Sequence, residues 1–183
     1  MIRRLFLAIV ISEEVKYNIK PIYNLLKSTE ADLNIVSLEN LHFTLKFLGD
    51  VDEEMIPEII EKLGSIKQKP FNIQVQGVGV FPCPERINVV WVGAKSEELI
   101  SLMKTIDYTL DYIKKNDFEE EIPHLTIARV NFTKNKEKLK EAILNHKDDT
   151  FGEIIVDRMI LFESKLTTQG PVYSMVGEFS FKN

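Results

Sequence analysis

The chain has one cysteine, one tryptophan and three histidines in 183 residues. Cys83 on its own cannot form an internal disulfide or supply the thiolates of a zinc site. No apolar stretch approaches the roughly 20 residues that cross a bilayer as a helix. The opening MIRRLFLAIVIS is basic and then apolar, but Glu13 and Glu14 follow at once with no small-residue cleavage site, so it does not read as a secretion signal. Positive charge is also scarce. Lys and Arg number 23 against 28 Asp and Glu, for a net charge of −5. That balance excludes a protein that coats nucleic acid through a basic surface, but not one that recognises a single nucleotide or a single RNA end. Apolar residues are plentiful: 44% hydrophobic against 28% charged describes a globular chain with ample material for a core. A cytoplasmic protein is expected.

Leu5 to Ile11 is short and aliphatic and reads as a buried strand. Ser12 suits the N-cap of a helix carrying Val15, Ile19, Ile22 and Leu26 on one side, which Pro21 should kink or delay. Leu41 to Leu48, bounded by Gly49-Asp50, is a second strand. Asp52 then begins a helix with Ile56, Ile59, Ile60 and Leu63 inward. Phe71 to Phe81 alternates and then turns small at Gly77 and Gly79, a strand with one slender face. A second series follows. A strand at Ile87 to Val92 carries Trp91, expected to be buried. Ser96 caps a helix with Leu99, Ile100, Met103, Ile106, Leu110 and Ile113 on one side. Then come a strand at Leu125 to Val130, a Lys-rich helix opened by Thr133, and strands at Ile154 to Phe162 and Val172 to Phe181.

His42 and His124 stand 82 residues apart, and the same offset carries the first strand onto 87–93 and the helix at 53–66 onto 135–148. The expectation is an α+β fold, two-lobed and pseudo-symmetric. It is a duplicated β-α-β-α-β unit with antiparallel-type sheets flanking a central cleft and helices on the outside. Residues 1–183 would form one domain, with lobe one at about 1–82 and lobe two at about 83–183. Two lobes already closed on each other suggest a monomer.

Two of the three histidines lie in matching text, Leu41-His42-Phe43-Thr44-Leu45 and Pro123-His124-Leu125-Thr126-Ile127. Nine threonines in the chain make such a double coincidence a matter of about one per cent by chance. Alternation along a strand puts His42 with Thr44, and His124 with Thr126, on one face. Two imidazoles facing each other across a cleft can serve as base and acid near neutrality, as in-line displacement at a phosphodiester requires. The two threonine hydroxyls can donate to non-bridging phosphate oxygens. No carboxylate cluster accompanies the histidines, which favours chemistry without a metal and without any other cofactor. Lys46, in phase with His42 and Thr44, would add positive charge to the cleft. Phe81 would offer a ring for a nucleobase. His146, with no threonine two residues on, has no part in this scheme, and the lysines from Lys134 to Lys147 read as a solvated helix face.

The paired motifs, in HFTLKFLGD and PHLTIARV, together with RLFLAI and GVGVFP…INVVWVG, resemble the two-histidine (2H) phosphoesterase superfamily and, within it, its LigT-like branch of RNA 2′,3′-cyclic phosphodiesterases, once named 2′-5′ RNA ligases. The resemblance covers essentially the whole chain. It implies hydrolysis of RNA or nucleotide 2′,3′-cyclic phosphate to a 2′-phosphate, with His124 as the base, His42 as the acid and Thr44 and Thr126 on the phosphate. It also implies a phosphate-binding role for Arg129. Strict alternation puts Arg129 on the face opposite His124 unless the strand bulges or ends first. The first-lobe counterpart of Arg129 is Phe47. The same histidine pair would serve 2′-5′ ligation or opening of an ADP-ribose 1″,2″-cyclic phosphate, and a non-catalytic module binding nucleotides or RNA ends is the alternative of another class.

Overall fold

Most aliphatic runs and helical stripes become single elements in the computed structural model, which describes residues 1–113, 122–132, 136–168 and 170–182. The first series is β1 (Ile2–Val10), α1 (Glu13–Ser28), β2 (Asp32–Ile35), β3 (His42–Asp52), α2 (Ile56–Ser65) and β4 (Phe71–Cys83). The second is β5 (Arg86–Lys95), α3 (Glu97–Thr109), β6 (His124–Phe132), α4 (Lys136–Leu144), β7 (Thr150–Val156), β8 (Arg158–Thr167) and β9 (Gly170–Ser180). Single 3-10 turns at Leu38–Asn40 and Glu53–Met55 lead into β3 and α2.

Ser12 and Ser96 cap α1 and α3 as the sequence indicates, each hydroxyl accepting the amide proton three residues on at 3.3 Å. Pro21 neither ends nor delays α1. The helix runs unbroken from Glu13, with Pro21 on its exposed side and Val15, Ile19, Ile22 and Leu26 buried. Three expectations need correction. β2 gave no signal, because four residues reading Asp-Leu-Asn-Ile are too short and too polar to stand out from a loop. Ile154 to Phe162 is two strands, since the chain leaves one sheet for the other at Asp157, whose carbonyl accepts a hydrogen bond from the Phe181 amide at 2.7 Å. Leu102 lies on the buried stripe of α3, whereas Ile100 and Met103 are only half-buried. Thr133 lies outside the described residues.

The strands form two antiparallel sheets, one in the order β3-β1-β8-β9 and the other β2-β6-β5-β4-β7. Neither sheet is built from one half of the chain. β4 pairs with β5, and β8 and β9 return to β1, so the two halves exchange their later strands. α2 and α3 pack on the first sheet, against β9 and β3; α1 and α4 pack on the second, against β7 and β4. The helix-side residues of both sheets, among them Leu7, Phe43, Val92 and Leu125, belong to one continuous core. That core leaves the opposite faces of the sheets to line a cleft where β3 approaches β6.

Candidate active site

β3 and β6 carry the two histidines at their first positions, and both strands contain the same irregularity. In the first sheet Leu7 pairs with Lys46 and Ala8 with Thr44, which leaves Leu45 as an extra residue. In the second, Val90 pairs with Ala128 and Trp91 with Thr126, which leaves Ile127 extra. Leu45 and Ile127 are separated by the same 82 residues as the histidines. A β-bulge inverts the alternation beyond it. His42, Thr44 and Phe47 therefore share one face, and His124, Thr126 and Arg129 share the matching face of the other sheet.

The bulge decides two of the sequence expectations. It brings Arg129 into phase with His124, where the residue is exposed and sits opposite Asn34 of β2. It also turns Lys46 away. Lys46 is buried on the helix side of the first sheet, and its ammonium donates to Asp107 of α3 at 2.5 Å. The expectation that Lys46 lends charge to the cleft is corrected, because the bulge falls between it and Thr44.

Each imidazole is held by the backbone in the same way. His42 donates from Nδ1 to the Asn40 carbonyl at 2.7 Å, and His124 donates from Nδ1 to the Ile122 carbonyl at 2.8 Å. A carbonyl can only accept, so Nδ1 carries the proton and Nε2 is the basic nitrogen of the neutral ring. The Asn40 side chain donates in turn to the Pro171 carbonyl at 3.2 Å, tying the turn before β3 to β9. Thr44 and Thr126 are half-buried beside their histidines.

Aromatic rings then close around each histidine. Phe6 lies 4.9 Å from His42, and Tyr173 of β9 meets the same ring edge-on at 5.5 Å. Phe81 meets His124 edge-on at 4.9 Å, and Trp91 lies 6.3 Å away. Phe81 is thus in the site as a neighbour of the imidazole. Trp91, expected in the core, is half-exposed on the cleft side; its indole lies on Gly79, where a Cβ would collide with the ring. The slender face of β4 is the seat of that indole. Burial is the main force holding the His42 pKa below its usual value; the bond to Asn40 opposes this, and the charge of His124 adds to it. Burial raises the Tyr173 pKa while the charge of Arg129 lowers it. Residues from both sheets therefore lie within electrostatic reach of one another. Tyr173 and Phe6 had no local sequence signal, since strand pairing alone brings them to His42. Among the described residues no three His, Cys, Asp or Glu side chains converge as metal ligands, and no helix is long and apolar enough to cross a membrane.

Two imidazoles that feel each other's charge, carried on matching bulged strands of two sheets, are the arrangement of a two-histidine phosphoesterase. The family described as LigT like Phosphoesterase matches this chain twice, over residues 9–91 and again over 92–173; the chain belongs to that family. A protein of Methanocaldococcus jannaschii named RNA 2′,3′-cyclic phosphodiesterase is 41% identical over 176 residues, covering 96% of this chain and 99% of the relative. One of the same name from Methanothermobacter thermautotrophicus is 37% identical, covering 93% and 95%. Among solved structures, a protein of Thermus thermophilus superposes with a TM-score of 0.79 at 26% identity over 97% of both chains. LigT of E. coli has the same fold, with a TM-score of 0.78 at 22% identity over 100% of this chain and 99% of its own.

Proposed function

We propose that this enzyme hydrolyses the 2′,3′-cyclic phosphate of RNA ends or nucleotides to a 2′-phosphate, with His124 and His42 as base and acid and no metal. The observation that carries the reading is the matched pair of Nδ1 bonds to backbone carbonyls, which fixes both rings in the tautomer that acid–base work at Nε2 requires. The names of the archaeal relatives support the substrate.

In the proposed reaction His124 Nε2 takes a proton from water as its oxygen bonds to phosphorus. The bond from phosphorus to the 3′ oxygen breaks on the far side, and His42 gives that oxygen its proton. Thr44, Thr126 and Arg129 hold the non-bridging oxygens. The resting environment of His42 works against its charged form, because burial and His124 both disfavour the proton. A phosphodiester bound between the rings supplies the missing counter-charge and would raise the pKa again. On this reading the acid is armed by its substrate. Both histidines belong to one chain, so a monomer suffices, and residues 1–183 act as one catalytic domain whose two lobes each contribute one ring.

The test is turnover of 2′,3′-cyclic AMP in EDTA, with product analysis. His42→Ala and His124→Ala should each lose about 10²–10⁴-fold in kcat, and the wild-type product should be the 2′-phosphate. Full activity in His124→Ala, or activity that vanishes in EDTA and returns with a divalent metal, would refute the mechanism. A substrate panel separates hydrolysis from 2′-5′ ligation and from action on ADP-ribose 1″,2″-cyclic phosphate, all of which would use the same pair.

A further inference from the structure

The extra residues of the β1–β3 ladder, Leu45 and Leu48, both lie on β3, so β1 itself alternates: Arg3, Leu5 and Leu7 face the helices, and Arg4, Phe6 and Ala8 face the cleft. The two adjacent arginines therefore have different fates. Arg3 is bound to the buried carboxylate of Glu163 at 2.8 Å. Arg4 is exposed and makes no ion pair among the described residues, although Asp50, also exposed, is its partner in the β1–β3 ladder. Arg4 lies two residues, or about 7 Å of strand, from Phe6, whose ring touches His42.

Phe6 itself is buried, 3% exposed, and the open apolar ground lies beside it. Phe47 pairs with Phe6 across the ladder and is 52% exposed. Phe162 stacks on Phe6 at 5.4 Å, and Met175, opposite Phe162, is 58% exposed. An exposed ring, Phe47, and a half-buried one, Phe162, on the same sheet face as an exposed guanidinium match single-stranded RNA, which offers a base face and one negative charge per linkage. That face is continuous with the catalytic cleft at Phe6, and its charge is opposite to that of the chain it would meet.

We propose that Arg4, reached past Phe47 and Phe162, holds the phosphodiester that precedes the reacting nucleotide, so that an RNA chain end is preferred over a free cyclic mononucleotide. The proposal rests on the cyclic phosphodiesterase reading and adds a subsite and a strand direction to it: the body of the RNA leaves the cleft along the His42 sheet. A cyclic mononucleotide has no such linkage and gains nothing from Arg4.

The experiment compares kcat/KM on 2′,3′-cyclic AMP with that on a tetranucleotide carrying the same 2′,3′-cyclic adenosine end. Wild type should favour the tetranucleotide. Arg4→Gln should cost the tetranucleotide about tenfold more than the mononucleotide, as loss of a charged hydrogen bond does, and Arg4→Lys should restore part of it. The salt dependence of tetranucleotide binding should become shallower by about 0.7 in log–log slope, one phosphate contact fewer on a single strand. Arg3→Gln, on the opposite face, should leave the ratio of the two substrates unchanged. A ratio that Arg4→Gln does not move overturns the proposal. Turnover of neither substrate by wild type would instead refute the underlying activity. Anisotropy with the tetranucleotide ending in a 2′-phosphate then decides the subsite separately, since equal affinity of wild type and Arg4→Gln rejects it.

Discussion

His42 and His124 are held to the backbone by the same bond but have different neighbours. His42 is ringed by Phe6 and Tyr173 and sits in surroundings that discourage its charge. His124 meets Phe81 and Trp91, on a strand that carries Arg129 on the same face. At the position where the second motif has Arg129, the first has Phe47, and both residues reach the cleft by the same bulge. The duplication copied the geometry, and the side chains around it then diverged. On the proposed mechanism, the difference in surroundings would favour one ring as the acid and the other as the base. At the two matched positions the cation stands on the His124 strand and the ring on the His42 strand.

The largest effect on this comparison should come from its charged member. Arg129→Gln removes the cation while keeping a polar side chain of similar length. It should lower kcat/KM on 2′,3′-cyclic AMP by about 10–100-fold, the range for a hydrogen bond to a charged group. Phe47→Leu at the matching position should cost the same substrate only a few-fold, because a ring partly open to solvent contributes packing and no charge. If the two variants fall equally, the asymmetry between the strands has no catalytic meaning.

A change on the apolar side should move a pH limb rather than a rate. With His42 as the acid, the free enzyme is active only while His42 holds its proton, so kcat/KM falls as pH rises through the His42 pKa. Burial sets that value below the ordinary 6.5 or so, and the alkaline limb of kcat/KM should lie there. The limb of kcat, measured with the phosphodiester bound, should lie at higher pH. Tyr173→Ala uncovers one side of the His42 ring, weakens the desolvation and should shift the alkaline limb of kcat/KM upward. Phe81→Ala, beside His124, should leave that limb in place and lower kcat. Coincident limbs for kcat and kcat/KM would sink the idea that substrate arms the acid.

The sequence carried the fold class, the duplication and both histidines because these are written locally. The cap at Ser12, the stripe on α2 and the His-x-Thr text each depend on residues a few positions apart. What stayed hidden depends on pairing across the chain. β2 exists because β6 offers it an edge, the break at Asp157 marks a change of sheet, and Tyr173 reaches His42 only because β9 closes the first sheet. The bulges at Leu45 and Ile127 belong to the same class. Strict alternation put Lys46 in the cleft and admitted Arg129 only if the strand bulged; one extra residue per strand turns the first away and brings the second into phase.

The smallest predicted effect tests that correction directly. If Lys46 faced the cleft, removing its charge would weaken phosphate binding about tenfold or more, as at Arg129. Its ammonium instead ends on Asp107 beneath α3, with the Lys46 side chain 5% exposed and that of Asp107 47% exposed. Lys46→Met keeps the length and the apolar stem of the side chain, and the carboxylate it abandons can turn to water. Replacing a buried ion-pair member by an apolar side chain of similar volume is often close to neutral when the partner is not left dry. Activity on 2′,3′-cyclic AMP should therefore stay within about twofold, and Tm should move by no more than the roughly 4 °C that 1 kcal/mol represents in a chain of this size. Asp107→Ala should destabilise more, because the charge it strands is the buried one. The order of those two melting temperatures places the Lys46 ammonium: beneath the helix if Asp107→Ala melts lower, in the cleft if Lys46→Met loses activity instead.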